Sequence, residues 1–129
     1  MLLTEHRNEQ QLFVRRADAD RVVVIDREFR SSLILGVERV AEDFAPRSVS
    51  DLDQPAIKRI LEFEPEVVLL GTGARAVFAP PVVAAEFLKR GIGLESMDNA
   101  AAARTFNVLA GEQRRVVAVF LLSENRAQA

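Results

Sequence analysis

The 129-residue chain has no cysteine, no tryptophan and no tyrosine, and it has a single histidine. The first absence excludes disulfides, thiol redox chemistry, a thiolate nucleophile and cysteine metal sites. It also fits a reducing compartment. Without tryptophan and tyrosine, a ligand site cannot use indole or phenol chemistry. His6 stands in a polar stretch with nothing local to hold it as a general base, so a Ser-His-Asp arrangement is not expected. A charge excess is missing too: 17 Lys+Arg against 19 Asp+Glu give 17 − 19 = −2. That balance offers no footprint for nucleic acid. No apolar run approaches the roughly 18 residues needed to span a bilayer. Residues 1–11 are polar apart from Leu2 and Leu3, so they read neither as a secretory signal nor as an Arg/Ser-rich presequence. The expectation is a soluble, cytoplasmic protein with no membrane insertion.

What the chain does contain is an ordinary globular balance, 49% hydrophobic and 28% charged. One domain is expected over residues 12–122, between flexible polar tails at 1–11 and 123–129. Its centre is the stretch 65–78. There the continuous apolar run Val67-Val68-Leu69-Leu70 stops at Gly71-Thr72-Gly73, as a buried parallel strand does when it leaves through a permissive turn. Such a run predicts a strand that is central and fully buried.

The first third is β-rich. Strands are predicted over 12–14, 21–25 and 29–37, with turns at 17–20 and 26–28 and strand or loop over 37–44. Ser50 then reads as a helix N-cap with Asp53 at N3. Pro55 falls in the first turn, and Ile57, Ile60 and Leu61 make an apolar stripe that Pro65 ends. Pro80-Pro81 opens a second helix, with Val83, Ala84, Phe87 and Leu88 inward and Gly91 closing it. A short strand follows over 92–97. Asp98 caps an alanine-rich helix over 99–110, closed by Gly111, and 116–122 is the last strand. Helix and strand alternate across 50–122, which calls for a layered α/β domain.

Two constellations could carry chemistry. Gly71-Thr72-Gly73-Ala74-Arg75-Ala76 matches the dinucleotide fingerprint G-x-G-x-x-A after a strand. That mechanism needs a helix to begin at the glycines, facing the pyrophosphate. Here Pro80-Pro81 delays the helix by about eight residues, because residues before proline avoid the α region. Binding of NAD(P) or FAD is therefore not expected, and no cofactor is. A plain tight strand exit, or a small anion held by Thr72, Arg75 and loop N–H groups, are the other readings. The second constellation is Asp98 with Asn99, Arg104, Thr105 and Asn107. It lies at the same sheet edge if both strands are parallel; Asp98 reads most simply as an N-cap. No acidic cluster has the spacing of a metal site.

Four segments together carry a family resemblance: residues 31–35 (Ser-Ser-Leu-Ile-Leu), 64–73 (Glu-Pro-Glu-Val-Val-Leu-Leu-Gly-Thr-Gly), 91–98 (Gly-Ile-Gly-Leu-Glu-Ser-Met-Asp) and 103–109 (Ala-Arg-Thr-Phe-Asn-Val-Leu). Over about residues 12–122 the chain resembles the small α/β domain family that includes a mitochondrial assembly factor of respiratory complex I (NADH:ubiquinone oxidoreductase). The resemblance implies a single three-layer α/β domain, with a mixed central sheet, flanking helices and a small additional β element. It also implies that Gly71, Thr72, Gly73, Met97, Asp98, Thr105 and Asn107 share a pocket at one sheet edge. It supplies no reaction. The sequence thus favours a non-catalytic interaction or assembly module with protein partners, as monomer or weak homodimer. The alternative is a small-anion or metabolite-binding domain, enzymatic or not, with its crevice at Gly71-Thr72-Gly73 and Arg75.

Overall fold

A computed structural model describes residues 11–123. The tails expected over 1–11 and 123–129 lie outside these, except for Gln11 and Ser123.

Among the described residues, eight strands and three α-helices make three layers. A five-stranded sheet has the order β5-β4-β8-β6-β7, with β4 Leu33–Leu35, β5 Val40–Ala41, β6 Val67–Gly71, β7 Gly93–Met97 and β8 Val116–Phe120. β6 runs parallel to both β7 and β8, whereas β4 is antiparallel to β8. The sheet is therefore mixed. A separate antiparallel sheet joins β1 Val14–Ala17, β2 Val22–Val24 and β3 Arg27–Phe29.

The period-two alternation of β8 sorts the core into two halves. Val116, Ala118 and Phe120 point to one face, where they pack with Val14, Val22 and Phe29 of the small sheet and with Ala102 and Phe106. The last two belong to α3, Asn99–Gly111. Val117 and Val119 point to the other face, with Ile57 and Ile60 of α1 (Gln54–Leu61) and Val83 and Phe87 of α2 (Pro81–Leu88).

Several sequence expectations need correction. The middle strand is β8, not β6; β6 lies inside the sheet between β8 and β7, and its Val67 is only half-buried. The strand expected over 29–37 is two strands in two sheets, Phe29 ending β3 and Leu33 beginning β4. Ser32 lies in the break, buried, its hydroxyl accepting from the Leu122 N–H at 2.9 Å. Arg27 and Glu28 are strand rather than turn, because the reversal is confined to Ile25 and Asp26. Ile25 adopts φ 55°, costly for a β-branched side chain. Asp53, not Ser50, caps α1, accepting from Ala56 N–H at 3.0 Å; Ser50 sits in a preceding single turn of 3₁₀ helix. Leu88 is 75% exposed, on the far side of α2 from Val83 and Phe87.

The two later helices end alike but with different residues. After α2, Gly91 takes φ 75° while its N–H and that of Ile92 return to the Leu88 and Phe87 carbonyls. After α3, the left-handed residue is Gln113 at φ 64°, with its N–H and that of Arg114 returning to Ala110 and Leu109. Gly111, the expected terminator, is still helical. Both ends are Schellman motifs, and only the first has the residue that the motif prefers. Gln113→Gly is accordingly expected to raise stability by about 1 kcal/mol by relieving the left-handed strain. Urea denaturation checks this; an unchanged or lowered midpoint contradicts it.

Candidate functional site

β6 and β7 end side by side, with Gly71 in register with Met97 on one side and with Phe120 of β8 on the other. A β-carbon on Gly71 would lie 2.4 Å from Asn99 Oδ1 and 3.3 Å from both Ala102 Cβ and Phe120 Cδ1. Gly71 is thus required for closeness of approach. Gly73, at φ 100°, is required for backbone shape.

The side chain filling the space above Gly71 is Asn99. It is wholly buried at the start of α3. Its Oδ1 accepts from the Gly73 N–H at 3.2 Å, and its Nδ2 donates to the carbonyls of Asp18 at 2.9 Å and Leu121 at 3.2 Å. Its own N–H donates to the Gly73 carbonyl at 2.9 Å. One amide therefore joins the turn after β6, the β1–β2 turn and the exit of β8. Asp18 shapes its own turn: its carboxylate accepts the N–H groups of Asp20 and Arg21. The Asp20 N–H is the largest influence holding the Asp18 pKa below the ordinary carboxylate value, with the Arg21 N–H and the Arg21 and Arg16 charges adding to it.

Thr72 is the second organiser. Its N–H donates to the Met97 carbonyl at 2.9 Å, which ties β6 to β7. Its hydroxyl reaches the Arg75 and Met97 carbonyls and accepts the Val77 N–H at 2.9 Å. The loop from Gly73 to Val77 is thus folded around one threonine oxygen. Beyond it stands Phe78, 87% exposed.

The structure brings Gly71, Thr72, Gly73, Met97 and Asp98 together at this edge. Asp98 is an N-cap, accepting from Ala101 N–H at 2.7 Å. Arg75 lies on the loop surface. Thr105 and Asn107 are engaged elsewhere. The Thr105 hydroxyl donates to the Ala101 carbonyl within α3, at 2.8 Å. Asn107 exchanges two bonds of 2.9 Å with the Val14 backbone, its Oδ1 accepting and its Nδ2 donating, as a neighbouring strand would.

Little here is left to cradle an anion. At the start of α3 the Asn99 N–H is taken by the Gly73 carbonyl, the Ala101 N–H by the Asp98 carboxylate and the Ala102 N–H by the Asp98 carbonyl. The helix after the glycines begins only at Pro81, as the proline pair predicts. Among the described residues no group of three or more His, Asp or Glu side chains could hold a metal ion.

Sequence reasoning passed over the role of Asn99, since its side-chain partners lie 26, 81 and 22 residues away. It also passed over Phe78, although an aromatic directly after a Gly-rich turn and before two prolines could have signalled a presented side chain.

Fold and edge together define a class: a three-layer α/β domain, with a mixed five-stranded sheet whose parallel strands exit into a polar lock. The chain belongs to the family described as "Protein of unknown function (DUF498/DUF598)", whose model matches residues 14–121. The NMR structure of XCC1710 from Xanthomonas campestris is similar, with TM-score 0.81 and 40% identity, covering 88% of this chain and 86% of that one. The "NADH dehydrogenase [ubiquinone] 1 alpha subcomplex assembly factor 3" of Danio rerio is 38% identical over 76 residues, 57% of this chain and 44% of that protein. A "13 kDa major membrane protein" of Francisella tularensis subsp. holarctica (strain LVS) is 25% identical over 122 residues, 94% of this chain and 99% of that protein. No helix among the described residues is long and apolar enough to cross a membrane.

Proposed function

We propose that this is a non-catalytic interaction domain of the assembly-factor kind, which holds a protein partner against the apolar segment that begins at Val77. The observation carrying this reading is the exposure of Phe78, at 87%, in a loop that Thr72 holds in shape. Val77, Val82 and Leu88 on the same segment are also exposed. Large apolar groups concentrated on one surface segment mark a binding surface, and an exposed aromatic is the kind of anchor that carries interface energy. The resemblance to a protein named as an assembly factor supports the same class. On this reading Gly71, Thr72, Gly73, Met97 and Asp98 are the mount for the loop, and Arg75 flanks the anchor.

The test uses full-length protein carrying a photo-crosslinking residue at Ala76, incubated in extract of the native cell. A protein crosslinked by the wild type should be lost with Phe78→Ser, its affinity falling at least about 30-fold for an anchor worth 2 kcal/mol or more. Thr72→Val should weaken capture by freeing the loop. Val108→Ser, exposed on α3, should retain it. Because Phe78 is exposed, its substitution should leave the melting temperature nearly unchanged. Equal crosslinking by all variants overturns the proposal. So does sedimentation with phospholipid vesicles that Phe78→Ser abolishes while no protein is captured.

A further inference from the structure

At the opposite end of the sheet, where β6 and β8 begin, a cavity of about 590 Å³ opens between the loop after β4 and the turn after α3. That volume suits a small metabolite. Phe63 and Val37 give it apolar wall, and Arg39, Arg114 and Arg115 line it.

Each guanidinium has a neighbour that holds it. Arg39 donates to the Glu62 carbonyl at 3.3 Å and stacks 4.0 Å over the Phe63 ring. Arg115 donates through Nε to the Glu64 carbonyl at 3.0 Å. Arg114 Nε stands 3.6 Å from Glu66 Oε1. A guanidinium has five N–H donors, so each of these contacts leaves most of the fork available while restricting its direction. Offsetting the three cations are Glu38 on the cavity wall and Glu66 beside Arg114.

A second observation is independent of charge. Three non-glycine residues adopt positive φ among the described residues, and one of them lines this cavity. Gln113, at φ 64°, lines it; Glu64, at φ 52°, supplies the carbonyl that holds Arg115. Strain kept at Gln113, at a helix end that prefers glycine, points to a use for the side chain that glycine would remove.

We infer that this cavity binds a small organic anion, a carboxylate or phosphate ester on a compact apolar body, with Arg39, Arg114 and Arg115 on the anionic group and Gln113 completing its hydrogen bonds. The site lies apart from the Phe78 surface and does not depend on it. Bidentate guanidinium contacts suit both oxyanions, and the apolar wall receives the body.

Phenyl phosphate, benzoate and inorganic phosphate are the probes, titrated into the full-length protein and followed by amide chemical shifts and calorimetry. Saturable shifts are expected at Gly36, Val37 and Gln113 with phenyl phosphate or benzoate, whichever oxyanion the site prefers. Inorganic phosphate should bind more weakly. Arg115→Gln and Arg39→Gln should each weaken binding at least tenfold while the protein stays folded. Gln113→Gly should weaken binding although it stabilises the fold, a pairing that a merely structural role would not produce. No saturable shift at millimolar probe overturns the inference. So do equal affinities in wild type, Arg115→Gln and Arg39→Gln, or inorganic phosphate binding as tightly as both organic anions.

Discussion

Asn99→Ala is expected to destabilise the domain by about 3–5 kcal/mol, since each buried group left without its partner costs about 1–3 kcal/mol. The residue is 0% exposed, and its amide satisfies the Gly73 N–H and the Asp18 and Leu121 carbonyls. Alanine leaves all three without that partner and opens a void over Gly71. Urea denaturation measures the loss, and a value under roughly 1 kcal/mol would mean that water replaces the amide at low cost. Asn99→Asp separates hydrogen bonding from volume. An aspartate keeps the acceptor toward Gly73 but turns a second oxygen toward two carbonyls. Its folded-state pKa should be raised, because burial and those carbonyls disfavour the charged form. The deficit should therefore grow as pH rises through the carboxyl range and level off above the folded pKa. A pH-independent deficit would contradict the geometry.

Gly71→Ala should cost about 2–3 kcal/mol, within the range for overpacking a filled core. The new methyl meets Asn99 Oδ1 at 2.4 Å, and that oxygen belongs to an amide anchored at both ends. The two substitutions touch the same atoms, so their effects should not add. In the Asn99→Ala background the added methyl meets only Ala102 and Phe120, at 3.3 Å, and Gly71→Ala should cost much less. A double-mutant cycle with no coupling would sink the account of Gly71 as a close-approach position and leave only its backbone to explain it.

These two residues also mark how far the sequence could be read. The run at 67–70 and the last apolar segment announced buried strands, and the spacing of Ile57 and Ile60 announced the inner face of α1, because each signal is local and periodic. Asp98 as a cap was legible for the same reason. Gly71 was visible as a glycine but not for its cause, which is a side chain arriving from 28 positions further along the chain. The two strands read as one over 29–37 differ only in which sheet they join, and Ser32, whose burial marks the break, has its partner 90 residues away. Gly111 misled because glycine is the commonest helix terminator, whereas the helix runs one turn-residue further and spends its strain on Gln113. Asn107 read as a pocket residue, and its two bonds to Val14 show a polar side chain standing in for a strand. Apart from the helix end at Gln113, the deciding partner was distant in sequence.

The strand at the middle of the large sheet is also the last of the described strands to be synthesised. β4 and β6 both pair with β8, and each of the two core halves draws on its side chains. Until β8 is free to pair, the chain holds two separate fragments of the large sheet, β5-β4 and β6-β7, with no ladder joining them. Neither helical layer yet has a complete floor. Vectorial folding from the N-terminus, the usual course for successive domains, is therefore closed to this one. Its core should form in a single late event on release of the 116–120 segment, and nascent chains stopped before that segment should be as protease-sensitive as unfolded polypeptide.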